Sequence, residues 1–125
     1  MAKSVVLVED EDSIALALEF LMQREGYELH RVADGTDAMS TIRAREPDLV
    51  LLDVMLPGVN GYEICQQIRL EPALAHTKIL MMTARGGEVE RRKGLALGAD
   101  GFVSKPFSTV ELKGMVRRLL DGEAA

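Results

Sequence analysis

The segment Leu49–Gly58 reads LVLLDVMLPG, which places four aliphatic residues directly before an aspartate and a Pro-Gly turn. The segment Val5–Asp12, VVLVEDED, repeats this arrangement, with an apolar run of the same length before four acids. Unbroken apolar runs of this length are typical of parallel strands that are buried on both faces. Both segments therefore predict central strands of an α/β sheet, each with carboxylates at its carboxyl end.

The rest of the chain alternates between strand and helix patterns. Apolar runs at Ile79–Met82 and Phe102–Val103, and an alternating run at Tyr27–Val32, predict three more strands. Helical spacing predicts helices at Ile14–Glu25, Thr36–Arg45, Tyr62–Arg69, Val89–Leu97 and Thr109–Leu120. This succession predicts a flavodoxin-like α/β fold, in which a five-stranded parallel, doubly wound sheet has the order 2-1-3-4-5 and right-handed crossovers.

The first helix has well-marked ends and an amphipathic pattern. Asp12 or Ser13 is its predicted N-cap, and Gly26 is predicted to end it. At about 100° per residue, Leu16 and Phe20 fall outside the apolar stripe, so we expect both on the surface. The stripe itself consists of Ile14, Ala17, Leu18, Leu21 and Met22.

The composition is typical of one globular domain. The chain has 125 residues, 47% hydrophobic and 28% charged, so we predict a single domain over residues 1–125, with 121–125 as the candidate start of a linker. A net charge of -5 argues against direct nucleic-acid binding. No apolar run approaches the roughly 20 residues of a membrane span, and Cys65 has no second cysteine to pair with. We therefore expect a cytoplasmic protein without membrane contact.

Polar side chains follow four of the predicted strands. Glu9 and Asp10 follow the first strand, Asp53 the third, Thr83 the fourth and Lys105 the fifth. The carboxyl ends of parallel strands meet at one edge of the sheet, where ligands bind in such folds. Crowded carboxylates need a compensating charge, and an oxygen-only cluster suits Mg²⁺. Lys105 and Thr83 beside such a site suit a phosphoryl group, with Asp53 as its acceptor.

Simpler interpretations of these residues remain open at this stage. The acids at 9–12 could stabilise a helix N-terminus, Asp53 could begin a turn, Thr83 could be an N-cap and Lys105 a surface lysine. A flavin-phosphate module would need a glycine-rich loop after the first strand, and neither GxGxxG nor GxxxxGKS/T occurs in the chain. An aspartyl-nucleophile phosphatase would need a second aspartate two residues after Asp53, where Met55 stands.

Four stretches together carry a resemblance to a known family. They are Val8–Asp12, Asp48–Gly61, Met82–Arg85 and Gly98–Phe107. Over essentially its whole length the chain resembles the receiver domain of two-component response regulators. The resemblance implies a signalling switch rather than a conventional enzyme. Its acceptor, Asp53, would take a phosphoryl group from a sensor histidine kinase or phosphotransfer protein in a Mg²⁺-dependent step, with self-phosphorylation from small donors and autodephosphorylation.

The resemblance also implies a role for each site residue. Asp10 and Asp53 would be direct Mg²⁺ ligands together with the backbone carbonyl of Met55, and Glu9 would bind the ion through water. The side chains that contact the phosphoryl oxygens would be those of Thr83 and Lys105. A cis peptide bond is expected at Lys105–Pro106, and the conformational switch would couple Thr83 to Phe102.

Protein partners follow from the same resemblance. They would be the phosphoryl donor, which docks at Leu16 and Phe20, and a downstream effector protein or an effector domain outside this chain. Related receivers pair through a charged ladder, for which the candidate residues here are Arg91, Glu111 and Arg118. Because glycine at 101 and methionine at 115 interrupt that ladder, we expect a monomer or a weak, phosphorylation-dependent dimer.

Overall fold

A computed structural model describes residues 2–84 and 87–122 of the chain. Over these ranges the strands are β1 (Ser4–Val8), β2 (Glu28–Val32), β3 (Leu49–Asp53), β4 (Lys78–Thr83) and β5 (Gly101–Ser104). The α-helices are α1 (Asp12–Arg24), α2 (Gly35–Arg45), α3 (Gly61–Leu70), α4 (Glu88–Ala96) and α5 (Thr109–Asp121), and a short 3₁₀ helix covers Pro72–Leu74. All strand pairs are parallel and the order is β2-β1-β3-β4-β5, which confirms the predicted fold.

The strand sequences explain their positions in the sheet. Every residue of β3 is buried, and so is Val5–Val8 of β1, as expected for central strands covered on both faces. The polar strand β2, with its alternating exposure, lies at the edge. Parallel pairing aligns Val8 with Leu52, Asp53 with Met82, and Thr83 with Ser104. This register brings the polar residues at the strand ends to one edge of the sheet.

Helices cover both faces of the sheet and bury a separate apolar cluster on each. On one face, Val6, Val50 and Ile79 pack with Ile42 of α2 and Ile68 of α3. On the other face, side chains from α1 and α5 pack on the alternate strand residues, namely Ala15, Leu18, Leu112 and Val116 on Val5, Leu51 and Leu80. The sheet that carries the strand ends is thereby covered by buried apolar side chains on both faces.

The first helix departs from the prediction at its start. Its N-cap is Glu11, not Asp12 or Ser13, because the Glu11 carbonyl already accepts a hydrogen bond from the Ala15 N–H at 3.0 Å. The Asp12 carboxylate instead forms an ion pair with Arg31, with 2.9 Å between Asp12 Oδ1 and Arg31 NH1. The predicted end is confirmed, since Gly26 follows the helix with a φ of 85°.

The buried stripe of α1 also differs from the predicted one: Ala15 takes the place of Ala17, and Ile14 and Leu21 are only partly buried. The residues facing the sheet are Ala15, Leu18 and Met22, and Ala17 is exposed. The stripe is centred on Leu18, so Ala17 falls on the flank, where it lines an open groove of about 520 Å³ beside Phe107. Leu16 and Phe20 are exposed as predicted, at 68% and 63%.

The predicted linker start at 121–125 lies only partly within the described residues. Asp121, proposed as the start of a linker, is the last residue of α5, and residues 123–125 of that stretch lie outside the described part of the chain. Arg85, from one of the motifs, lies outside it as well. None of the helices over the described residues has the length and apolar character needed to cross a membrane.

Candidate functional site

The carboxyl ends of four strands converge on one cluster of polar side chains. Glu9 and Asp10 follow β1, Asp53 ends β3, Thr83 ends β4 and Lys105 follows β5. Backbone hydrogen bonds fix these ends: the Glu9 N–H donates to the β2 carbonyl of residue 32 at 3.1 Å, and the Lys105 N–H donates to the Thr83 carbonyl at 2.7 Å. The residues that directly follow β1 and β5 are therefore anchored to the neighbouring strands.

The centre of the cluster is acidic and mostly buried. Carboxylate oxygens of Glu9, Asp10 and Asp53 all lie within 4.8 Å of one another. Glu9 is 0% exposed and Asp53 is 4% exposed, whereas Asp10 is open to solvent. The Lys105 ammonium donates to Glu9 Oε1 at 2.7 Å and to Asp53 Oδ2 at 3.1 Å. One ammonium thus bridges two buried carboxylates.

The electrostatics of this cluster favour an additional cation. Burial raises the pKa of Glu9 to about 7, even though hydrogen bonds from Lys105 and from the Glu11 N–H lower it. Burial also lowers the pKa of the Lys105 ammonium, but its hydrogen bonds to Glu9 and Asp53 outweigh this, so the net shift is upward. One ammonium does not balance three carboxylates. The oxygen-only donor set fits Mg²⁺, which prefers carboxylates and keeps several waters.

The surroundings of Asp53 are tightly constrained. Its Oδ1 accepts a hydrogen bond from the Met55 N–H at 3.1 Å, while the Met55 side chain is 62% exposed. Gly61, at the start of α3, packs so closely on this strand end that a Cβ there would overlap the Asp53 carbonyl oxygen. Asn60 caps α3 by accepting from the Tyr62 N–H at 2.7 Å. The Asp53 carboxylate is therefore oriented by the Met55 N–H at a closely packed strand end.

A family model for the response regulator receiver domain matches residues 5–117. The chain belongs to this family. Its members are components of two-component signalling, and the predicted family and fold are both confirmed.

Solved structures show the extent of the likeness. A candidate response regulator from Chloroflexus aurantiacus is 35% identical, with a TM-score of 0.91 over 97% of this chain and 99% of that one. The chemotaxis response regulator CheY4 of Vibrio cholerae is 30% identical, with a TM-score of 0.90 over 96% and 100%. The receiver domain of a sensor histidine kinase from Pseudomonas aeruginosa, which has a magnesium ion coordinated in its active site cleft, is 27% identical, with a TM-score of 0.87 over 97% and 99%.

The receiver domain places Thr83 and Phe102 on adjacent strands. Thr83 is 2% exposed at the end of β4. Phe102 on β5 is partly buried and pairs in register with Met81. Its ring lies against Gly94 of α4, where a Cβ would come within 3.2 Å of Phe102 Cδ2. Phe102 is therefore wedged between the sheet and α4.

The predicted partner residues lie on two separate surfaces. Leu16 and Phe20 are exposed on α1, and the Arg24 guanidinium lies over the Phe20 ring, 5.8 Å from its centroid. Arg91, on α4, is paired within its own helix with Glu88 at 3.6 Å. The other two predicted pairing residues, Glu111 and Arg118, are exposed on α5.

Two sets of side-chain contacts in the receiver domain were not predicted from the sequence. Arg31 of β2 reaches the acidic loop, residues 9–11 between β1 and α1, where its Nε donates to the Glu9 carbonyl at 3.0 Å. On the other side, the Tyr62 hydroxyl donates to Glu90 Oε2 at 2.6 Å, and the Lys93 ammonium lies 4.4 Å from the Tyr62 ring centroid. For the Arg31 contact, the sequence offered one signal, an arginine in a predicted edge strand. The sequence offered no signal for the contacts of Tyr62.

The two described histidines do not contribute to the acidic cluster. His30 is exposed in the middle of β2, and His76 lies before β4, where its Nε2 is 3.3 Å from the Glu46 carbonyl. Neither histidine therefore belongs to the candidate site.

Proposed function

We propose that this receiver domain is a phosphorylation-controlled switch in which Asp53 accepts a phosphoryl group from a phosphohistidine of a sensor histidine kinase or phosphotransfer protein. The observation that carries the proposal is the bridging of Glu9 and Asp53 by Lys105 within a cluster of three carboxylates. An Asp53 oxygen attacks phosphorus, the phosphorus–nitrogen bond to the histidine breaks, and the imidazole nitrogen keeps the electron pair. The product on this chain is an acyl phosphate, which water later hydrolyses.

The acidic cluster supplies the metal ligands in this proposal. Asp10 and Asp53 would hold Mg²⁺ directly with the Met55 carbonyl, and Glu9 would hold it through water. The relative with magnesium in its active site cleft supports this assignment. Bound there, the ion would offset the negative charge that builds on the phosphoryl oxygens during transfer.

Two further residues contact the phosphoryl group and report its presence. Lys105 already lies 3.1 Å from Asp53 and offers its ammonium to a phosphoryl oxygen. Thr83 offers its hydroxyl from the neighbouring strand end. Because Phe102 packs between β5 and α4, a movement of Thr83 toward the phosphoryl group would change the space available to Phe102 and shift the population of α4 positions.

The partners are proteins rather than nucleic acid or membrane. The kinase or phosphotransfer protein docks on the exposed apolar residues Leu16 and Phe20, next to the open groove between α1 and Phe107. A downstream effector reads the α4–α5 side, where Arg91, Glu111 and Arg118 would support at most a weak, phosphorylation-dependent dimer. We place this switch in the cytoplasm, where its phosphoryl donors act.

Intact-mass measurement with acetyl phosphate tests the proposal. Wild type should gain one phosphoryl group in the presence of Mg²⁺ and none in excess chelator. Asp53→Asn should gain none, whereas Asp37→Asn, a matched change at an exposed aspartate of α2, should behave as wild type. Equal labelling of wild type and Asp53→Asn would refute Asp53 as the acceptor. Equal labelling with Mg²⁺ and with excess chelator would refute the Mg²⁺ dependence.

A further inference from the structure

Arg31 connects the edge strand to the acidic loop through two contacts. Its Nε donates to the backbone carbonyl of Glu9 at 3.0 Å, and its NH1 lies 2.9 Å from Asp12 Oδ1. The Arg31 side chain is only 21% exposed, so the guanidinium is enclosed rather than extended into solvent. The arginine therefore spans the loop from the residue before Asp10 to the first residue of α1.

The Arg31 arrangement is not optimal for stability. Its NH2 is buried and has no hydrogen-bond partner among the described residues. A buried donor without a partner destabilises the folded state, and such violations concentrate at functional sites. In addition, Asp12 is 94% exposed, so its ion pair with Arg31 contributes little by itself. Stability alone is a poor reason for this arginine.

We infer that Arg31 is a positioning residue for the metal site, an inference that rests on the proposed function. The Glu9 carbonyl belongs to the planar peptide unit that also contains the Asp10 nitrogen and Cα. Holding this carbonyl therefore fixes the orientation from which the Asp10 side chain leaves the backbone. The Glu9 N–H is held by β2 at 3.1 Å and its carboxylate by Lys105 at 2.7 Å, so Arg31 supplies the third anchor of this residue.

Positioning and simple charge make opposite predictions for the affinity of Mg²⁺. A guanidinium close to a site for a dication repels that ion, so removing its charge should strengthen binding. A guanidinium that orients the ligand-bearing backbone should weaken binding when it is removed. Groups that orient metal ligands typically contribute tenfold or more in affinity. The sign of the change therefore separates the two roles.

Calorimetric titration with Mg²⁺ alone tests the inference. We expect Arg31→Met to bind about tenfold more weakly than wild type, and Arg31→Lys, which keeps the charge and can still donate to the Glu9 carbonyl, to recover part of the loss. Arg43→Met is the matched control, because Arg43 also pairs with a carboxylate, Glu71 at 2.8 Å, but on α2 away from the site. Its affinity should equal that of wild type. Unchanged or tighter binding by Arg31→Met would overturn the inference.

Two further measurements keep the result unambiguous. Thermal unfolding without metal shows whether each variant folds; if Arg31→Met does not, Arg31→Lys alone decides, and wild-type affinity in that variant overturns the inference. Wild type and Asp10→Asn are titrated alongside. If wild type binds no Mg²⁺, or binds it as well after Asp10→Asn, the proposed metal site itself fails, whereas a normal wild type with an unaffected Arg31→Met removes only the role of Arg31.

Discussion

Replacing Tyr62 with phenylalanine should loosen α4 while leaving the sheet unchanged. The Tyr62 hydroxyl donates to Glu90 Oε2 at 2.6 Å, and its ring lies 4.4 Å from the Lys93 ammonium. Gly94 is the one buried residue within α4, all of which is described. A helix with so little apolar burial depends strongly on its few polar contacts, so the loss of this hydrogen bond should increase the opening of α4 rather than of the whole domain.

The expected magnitude follows from the environment of Glu90. A hydrogen bond to a charged group contributes about 1.5–3 kcal/mol when it is well buried. Glu90 is partly exposed and can regain water when the hydroxyl is removed, which reduces the loss to about 1 kcal/mol. Phenylalanine keeps the ring and hence the Lys93 contact. A change of about 1 kcal/mol corresponds to roughly a fivefold increase in the opening equilibrium of α4.

Native-state amide hydrogen exchange measures this opening directly. At neutral pH the Tyr62 hydroxyl is protonated and can donate, and burial and Glu90 raise its pKa further, from 10.0 to about 12. Tyr27→Phe is the matched control, since Tyr27 donates to Asp121 at 3.2 Å and fastens the end of α5 instead. Unchanged exchange in α4 of Tyr62→Phe, or an increase spread evenly over the sheet, would refute the reasoning.

Three other predictions concern packing, pH and coupling. Gly61→Ala should destabilise the fold by about 1–3 kcal/mol in urea titrations, because the new Cβ lies 2.8 Å from the Val54 Cα, whereas Gly114→Ala meets open space and should stabilise α5 by about 0.5–1 kcal/mol. Burial raises the pKa of Tyr62 and of Tyr27 from 10.0 to about 12, so unfolding releases protons in that range and stability should fall as pH rises from 10 to 12. Replacing both tyrosines with phenylalanine should flatten that part of the stability curve. Thr83→Ala should accept a phosphoryl group without the wild-type change in amide spectra; identical spectral changes would contradict its switch role.

The sheet and the acidic edge could be predicted because their signals are local. Val5–Val8 and Leu49–Leu52 are unbroken apolar runs, and each is followed at once by acids, so strand burial and the meeting of Asp10 with Asp53 follow from one pattern. The resemblance to receiver domains added the cis peptide bond at Lys105–Pro106, which the structure contains. Nothing in composition or spacing indicates that bond.

The contacts that could not be predicted join residues far apart in sequence. Tyr62 meets Glu90 across 28 residues, and Arg31 meets the Glu9 carbonyl across 22. Such pairs depend on side-chain rotamers and on the placement of one element against another, which hydrophobic periodicity does not encode. The predicted N-cap of α1 was wrong because it also depended on a contact between distant residues. The Asp12 carboxylate, a predicted cap of the helix, is paired with Arg31.

The two hydrogen bonds of the Lys105 ammonium bear on whether the site can pass through repeated cycles of phosphorylation and hydrolysis. Glu9 holds this ammonium at 2.7 Å and Asp53 holds it at 3.1 Å, and Glu9 takes no part in the proposed covalent chemistry. When Asp53 is phosphorylated and later regenerated, the Lys105 ammonium therefore keeps Glu9 as a buried hydrogen-bond partner. Under the proposed chemistry, Lys105 keeps one fixed partner throughout, so the acceptor can be consumed and restored many times without losing this ammonium from the site.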